Sequence, residues 1–292
     1  MKQYIFVLPF ILLILAISFY YQFYACSLTI ILLYFFIGFI FYYRSKNNYL
    51  FYNKYKSKQS SIPSVIFTYW HSNMSPTVRK CINSWRKHLP NYKIHVITKR
   101  NITSYLPFDV YSLRHSDQQQ RISDFIRLYL LEKHGGIWMD ASVYLQDSLD
   151  WVHGHQSKYD YECIIYQLEK NGKPNVESWF LACVPGSKFI KDWKESFYEI
   201  NLYPTVQDYI DEKEKTTDLS CVEDTHYLTI YVACQSIIQK NSYRLGRFDS
   251  MGPFSNNLIF LFPFLLLNSQ KVIKYVSHTR QFLDDSNLYQ FL

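Results

Sequence analysis

"RISDFIRLYLLEKHGGIWMDASVYL", residues 121–145, decides how this chain folds. Ile122, Phe125, Ile126, Tyr129 and Leu130 recur at i, i+3, i+4, i+7 and i+8, the spacing that lays one apolar stripe along a helix. Gly135 and Gly136 then stop the helix by supplying left-handed backbone that other residues adopt at a cost. "IWMDASVYL" (137–145) is expected to be a strand, in which Trp138, Asp140, Ser142 and Tyr144 share one face. A helix, a glycine stop and a strand carrying a lone carboxylate form the unit from which the rest is read.

Upstream, "IPSVIFTYW" (62–70) is a β-branched and aromatic run behind a proline, the pattern of a buried strand. Ser75 and Pro76 supply an N-cap and a first-turn proline. Val78, Cys81, Ile82, Trp85 and Leu89 follow at helical spacing until Pro90 ends the helix. "YKIHVIT" (92–98) is the next strand, and strand–helix–strand order argues for a parallel α/β unit. Downstream, strands are expected at 161–168 and 178–184 and helices near 187–200 and 224–239. "LIFLFPFLLL" (258–267) is too short to span a bilayer and is broken by Pro263, so it reads as core or as a surface dipping into a membrane.

The first sixty residues are of another kind. Residues 4–43 contain no charged side chain, twice the length of about 20 apolar residues that one crossing needs. A helical hairpin over 1–45 is expected, with spans near 4–20 and 27–43, and Tyr20, Tyr21, Tyr24, Tyr42 and Tyr43 at aromatic-belt positions. A single tilted anchor and a cleaved signal peptide are the alternatives; the apolar stretch is long for the second. Residues 46–61 form a basic linker, and Arg44, Lys46, Lys54, Lys56 and Lys58 follow the second span against Lys2 before the first. The positive-inside rule places that collar, and the domain at 62–292, on the cytosolic side. Much of the net charge of +7 sits in this collar, and no nucleic-acid partner is expected. Six cysteines without a C-x-x-C pair suggest neither a zinc site nor a disulfide framework.

Several chemistries are excluded by their missing motifs. There is no G-x-G-x-x-G, no G-x-x-x-x-G-K-[ST], no G-x-S-x-G and no H-E-x-x-H. What remains is Asp124, Arg127 and Asp140. Asp124 and Arg127, three apart on a helix, could be only a helical ion pair worth about 0.2–0.5 kcal/mol. Asp140 alone could be only a polar strand end. In open α/β sheets, however, ligands sit beyond the carboxyl ends of strands.

The ordered combination of I-P…W, C-x-N-S-W, S-D-x-x-R and G-G-x-W-x-D-A-S resembles the capsular polysaccharide synthesis protein family, relatives of the Och1-type mannosyltransferases and the glucosylating clostridial toxins. The likeness is strong over 62–150 and thins beyond. It implies a GT-A-type α/β fold, a mixed sheet flanked by helices, that binds a nucleotide sugar and Mn²⁺ or Mg²⁺. It implies that Trp70 stacks on the nucleobase, and that Asp124 and Arg127 hold ribose and sugar hydroxyls. Gly135 and Gly136 would let the backbone approach closely. Asp140 would take the first position of an Asp-x-Asp motif whose second position here is Ser142. The departure is from the wider superfamily, and it shifts metal binding onto Asp140, Ser142, the diphosphate and a later residue, with His278 the candidate. Asp224 is the candidate acceptor-side catalytic carboxylate.

The activity implied is that of a membrane-anchored glycosyltransferase, a hexosyltransferase by analogy, moving a sugar from a UDP- or GDP-sugar to a glycan or lipid-linked acceptor in capsular or surface polysaccharide synthesis. The alternative is an inactive component of a polysaccharide assembly that keeps the fold and has lost its chemistry.

Overall fold

The computed structural model describes residues 61–250 and 271–292. The expected hairpin and the apolar run at 258–267 lie outside the described residues. Among the described residues no helix is long and apolar enough to cross a membrane.

The chain opens with β1 (Val65–Tyr69), α1 (Pro76–His88) and β2 (Lys93–Ile97). β1 and β2 pair in parallel, Ile66 opposite Ile94, as the strand–helix–strand order requires. Ser75 accepts a hydrogen bond from the Val78 N–H at 3.4 Å and Pro76 begins α1, so the cap read from the sequence is the cap that forms. After two short 3₁₀ turns comes α2 (Gln119–His134), which carries Asp124 and Arg127. Gly135 closes it at φ +62°, and its N–H donates to the Leu131 carbonyl.

The segment expected as one strand over 137–145 is two. β3 (Gly136–Met139) joins the main sheet beside β1, and β4 (Val143–Leu145) pairs instead with β8 (Val272–Lys274) in a two-stranded sheet. Asp140 and Ser142 lie in the turn between them. The Val143 N–H closes that turn on the Asp140 carbonyl at 2.9 Å. The alternation argument therefore holds only through Met139: strand periodicity ends where the backbone changes sheets.

The chain continues through α3 (Asp150–Tyr159), β5 (Cys163–Lys170), β6 (Lys173–Cys183), α4 (Lys188–Tyr198), α5 (Val206–Glu214), α6 (Thr229–Ile238) and β7 (Leu245–Asp249), whose strands complete the main sheet. The strand order is β2-β1-β3-β6-β5-β7, with β6 antiparallel to both neighbours and β7 parallel to β5. The sheet is thus mixed, as expected. One core lies between the sheet and α2, α4 and α6, around Phe125, Trp138, Leu181 and Trp193. A second lies on the opposite face, around Ile66, Trp85, Ile137 and Phe180. Burial on both faces explains why these strands read as continuous apolar runs.

Helix α7 (Ser277–Asp285) follows β8, and the C-terminal segment returns to the start of the domain. The Asp284 carboxylate accepts from both the N–H and the hydroxyl of Thr77, at 2.8 and 2.7 Å, in the first turn of α1. An acidic side chain there also suits the positive end of the helix.

Candidate active site

The site is assembled where β1 and β3 end. Trp70 follows the last residue of β1, and its N–H donates to the Ile97 carbonyl of β2 at 2.9 Å. Asp140 follows the last residue of β3, held by its own N–H to the Trp179 carbonyl of β6 at 2.9 Å. Arg127 reaches over from α2 and bridges two carboxylates. Its Nη1 lies 2.9 Å from Asp124 Oδ1, and its Nη2 donates to Asp140 Oδ1 at 3.0 Å. The guanidinium stacks over the buried Trp138 ring, 4.9 Å from its centroid, and the indole N–H donates to the same Asp140 oxygen at 2.9 Å. The S-D-x-x-R and G-G-x-W-x-D segments thus meet through one carboxylate. The pair on α2 is more than a surface ion pair: both side chains are buried, so each charge depends on its partner for solvation.

The other oxygen of Asp140 is taken by Lys274, whose ammonium donates to Oδ2. Lys274 is the last residue of β8, fixed by pairing of β4 and β8 and by the Tyr275 N–H donating to the Ser142 carbonyl at 3.0 Å. Arg280, in the second turn of α7, packs its guanidinium 5.7 Å from the centroid of Trp70 and lies within the field of Asp140. Glu177 on β6 is buried, accepts from the Tyr231 hydroxyl at 2.8 Å, and lies within the fields of Lys274 and Asp140. Tyr227, half exposed in the loop before α6, faces Asp124, Asp140 and Arg280.

The three carboxyls are driven apart by their surroundings. Burial alone would raise Asp140, but Lys274 and Arg127 hold it below the usual carboxylate range. Burial pushes Asp124 up to about 7, only partly opposed by Arg127 and reinforced by the charge of Asp140. Burial raises Glu177 as well. Lys274 is lowered, chiefly by burial, with Asp140 pulling the other way. Asp140 is therefore the firmly ionised member, and it faces Arg127, Lys274 and Arg280.

The remaining predicted residues fall elsewhere or play other parts. Gly135 and Gly136 do not make room for a ligand. A Cβ on Gly135 would sit 2.5 Å from the Pro185 nitrogen, and one on Gly136 2.5 Å from Val65 Cγ1. Their close approach is to the protein's own strands, at the end of β3 away from Asp140. Ser142 is buried in the β3–β4 turn. His278 is exposed in the first turn of α7. Asp224 is exposed in the loop before α6, where its Oδ1 accepts from the Tyr227 N–H at 2.9 Å.

These placements bear on the expected divalent cation. Among the described residues no group of three or more His, Cys, Asp or Glu side chains is arranged to hold one. Asp140 already accepts from Arg127 and Trp138 on one oxygen and from Lys274 on the other. The Asp140, Ser142 and His278 set does not fit a metal in this arrangement.

Lys274, Arg280, Glu177 and Tyr227 were not among the residues singled out in the sequence. Lys274 carried one signal, a lone lysine inside the apolar run "VIKYV". The others carried none.

The structure is a mixed α/β sheet with a partly buried cluster of charged side chains at the carboxyl ends of β1 and β3, the edge at which open α/β sheets hold ligands. The chain belongs to the capsular polysaccharide synthesis protein family, whose model matches residues 36–211. It is 27% identical over 157 residues to the O-glycosyltransferase braB of Annulohypoxylon truncatum, covering 46% of this chain and 37% of that protein. It is 25% identical over 163 residues to the glycosyltransferase afumC of Aspergillus fumigatus (strain CBS 144.89 / FGSC A1163 / CEA10), covering 49% and 42%. The chain thus spans well under half the length of these curated relatives. Among solved structures it is similar to the PaToxG glycosyltransferase, at a TM-score of 0.42 and 11% identity, covering 88% of this chain and 93% of the other.

Proposed function

We propose that this protein is a GT-A-type glycosyltransferase that takes a sugar from a nucleoside-diphosphate donor and passes it to a glycan or lipid-linked acceptor in surface polysaccharide synthesis. The observation that carries the reading is the Asp124–Arg127–Asp140 bridge at the ends of β1 and β3, in a chain of this family whose matched relatives are named as glycosyltransferases. Trp70 offers its ring to the nucleobase of a UDP- or GDP-sugar, a flat apolar face suited to stacking. Asp124 and Asp140 accept hydrogen bonds from ribose and sugar hydroxyls, and Arg127 locks the two carboxylates in position.

In the transfer, the bond between the anomeric carbon and the diphosphate oxygen breaks. A bond to the acceptor hydroxyl forms, and the hydroxyl proton leaves to a base. The leaving group gains negative charge as its bond stretches, so fixed cations aimed at it accelerate the step. Asp224, exposed at the mouth of the cluster beside Tyr227, is our candidate for the acceptor-side carboxylate. Residues 1–45 are proposed as a membrane hairpin that holds the domain at the cytosolic face, where soluble donors meet membrane-bound acceptors.

Donor hydrolysis over a panel of UDP- and GDP-sugars tests the assignment. Turnover by the wild type, reduced at least about a hundredfold in Asp140→Asn, is expected if Asp140 organises the donor, since oriented charged contacts in an active site are worth that much. Equal turnover by both proteins rejects the role of Asp140, and no turnover with any donor favours an inactive assembly component.

A further inference from the structure

We infer that Lys274 and Arg280 form the diphosphate-binding clamp of this site, so that donor binding requires no divalent cation. The inference rests on the nucleotide-sugar reading above and adds to it the source of positive charge.

Two observations converge on it. The first is geometric: the Lys274 ammonium occupies Asp140 Oδ2, the oxygen a cation at this carboxylate would use. Its side chain is 16% exposed, open enough to meet a ligand yet shielded enough for its charge to act strongly. The second is topological. Lys274 ends β8 and Arg280 sits on α7, so one short segment delivers both cations. That segment is anchored at both ends, by β4 pairing and by Asp284 on Thr77. Arg280 reaches the Trp70 ring proposed for the base, which leaves the pair between base and sugar positions, where a diphosphate lies in a bound donor.

A fixed ammonium and guanidinium can do the electrostatic part of a metal's work, neutralising a leaving diphosphate without a ligand cage. Ser142 at the second Asp-x-Asp position then follows: where a lysine supplies the charge, a second metal-binding carboxylate is not needed.

The test is calorimetric titration of the full chain with UDP and with GDP, once with EDTA and once with Mn²⁺. Binding of either nucleotide in EDTA, with a Kd within about twofold of that in Mn²⁺, is expected. Lys274→Met is expected to weaken binding in EDTA by about tenfold or more, the effect of one charge-assisted contact. Lys274→Arg should retain most of it. Nucleotide binding that appears only with Mn²⁺ overturns the inference and leaves the glycosyltransferase reading standing. Unchanged affinity in a folded Lys274→Met also overturns it. Failure of both nucleotides to bind under either condition overturns both. Should Lys274→Met not fold, the wild-type comparison and Lys274→Arg decide.

Discussion

At the scale of single residues, the site is a problem of three carboxyls among three cations. Asp124 is the member whose charge is costliest, because burial outweighs what Arg127 returns. A carboxyl raised in the folded state from the usual value to about 7 keeps a proton that the unfolded chain has already lost. Its contribution to stability is fully present below the unfolded value and declines as pH rises towards about 7. Urea unfolding at pH 5 and pH 8 should therefore show the wild type losing more stability between the two than Asp124→Asn. Equal losses would show that the bridge keeps Asp124 ionised throughout. The S-D-x-x-R spacing made Asp124 and Arg127 neighbours on a helix, and that much was legible. The second partner of Arg127, Asp140, is thirteen residues beyond it, and only the fold brings it there. Lys274 was hidden for the same reason: a single lysine in an apolar strand carries no spacing rule, and its meaning comes from the strand it pairs with.

At the scale of elements, the sequence motifs turn out to act through one another. The Trp85 indole of α1 donates to the Val143 carbonyl at 2.7 Å, and Ser84 accepts from the Leu145 N–H at 2.9 Å, so C-x-N-S-W grips β4. Cys81 packs against Ile273, Tyr275 and Leu283. The motif thus holds the β4–β8 pair that presents Lys274, a second-sheet role that no helical periodicity could reveal. Trp85→Phe should cost about 1–3 kcal/mol in denaturant unfolding, the penalty of leaving a buried carbonyl without its donor. A change under about 0.5 kcal/mol would mean the carbonyl finds another partner. The double glycine was legible as a helix stop, and its second duty was not. Because Gly135 and Gly136 combine positive φ with Cβ positions 2.5 Å from neighbouring atoms, Gly136→Ala should destabilise the domain by more than about 1 kcal/mol. Gain or neutrality in melting temperature would show that Val65 yields. The strand over 137–145 divided because alternation is a property of one sheet, and the backbone leaves that sheet at Asp140.

At the scale of the molecule, the active-site edge is closed by the chain's own C-terminal segment. β8 and α7 are far from β1 and β3 in sequence, and Asp284 ties α7 to α1 by two hydrogen bonds to Thr77. Asp284→Ala should lower global stability by about 1–2 kcal/mol, the worth of two such bonds. It should also weaken UDP or GDP binding by loosening the segment that carries Lys274 and Arg280. Stability lost with affinity unchanged would mean that β8 is held by β4 alone. The parallel β1–α1–β2 unit followed from apolar runs and from element order, and the mixed character of the sheet from the family resemblance. The position of β7, β8 and α7 did not, because short strands near the C-terminus lack a run long enough to read.

The central claim is that Asp140, with its cationic partners, organises a nucleoside-diphosphate sugar. Calorimetric titration of wild type and Asp140→Asn with UDP and GDP tests it most directly. The account predicts that wild type binds at least one of the two and that Asp140→Asn, folded to the same melting temperature within a few degrees, binds it with an affinity changed by about tenfold or more. Binding of neither nucleotide by the wild type, or equal binding by both proteins, would contradict it.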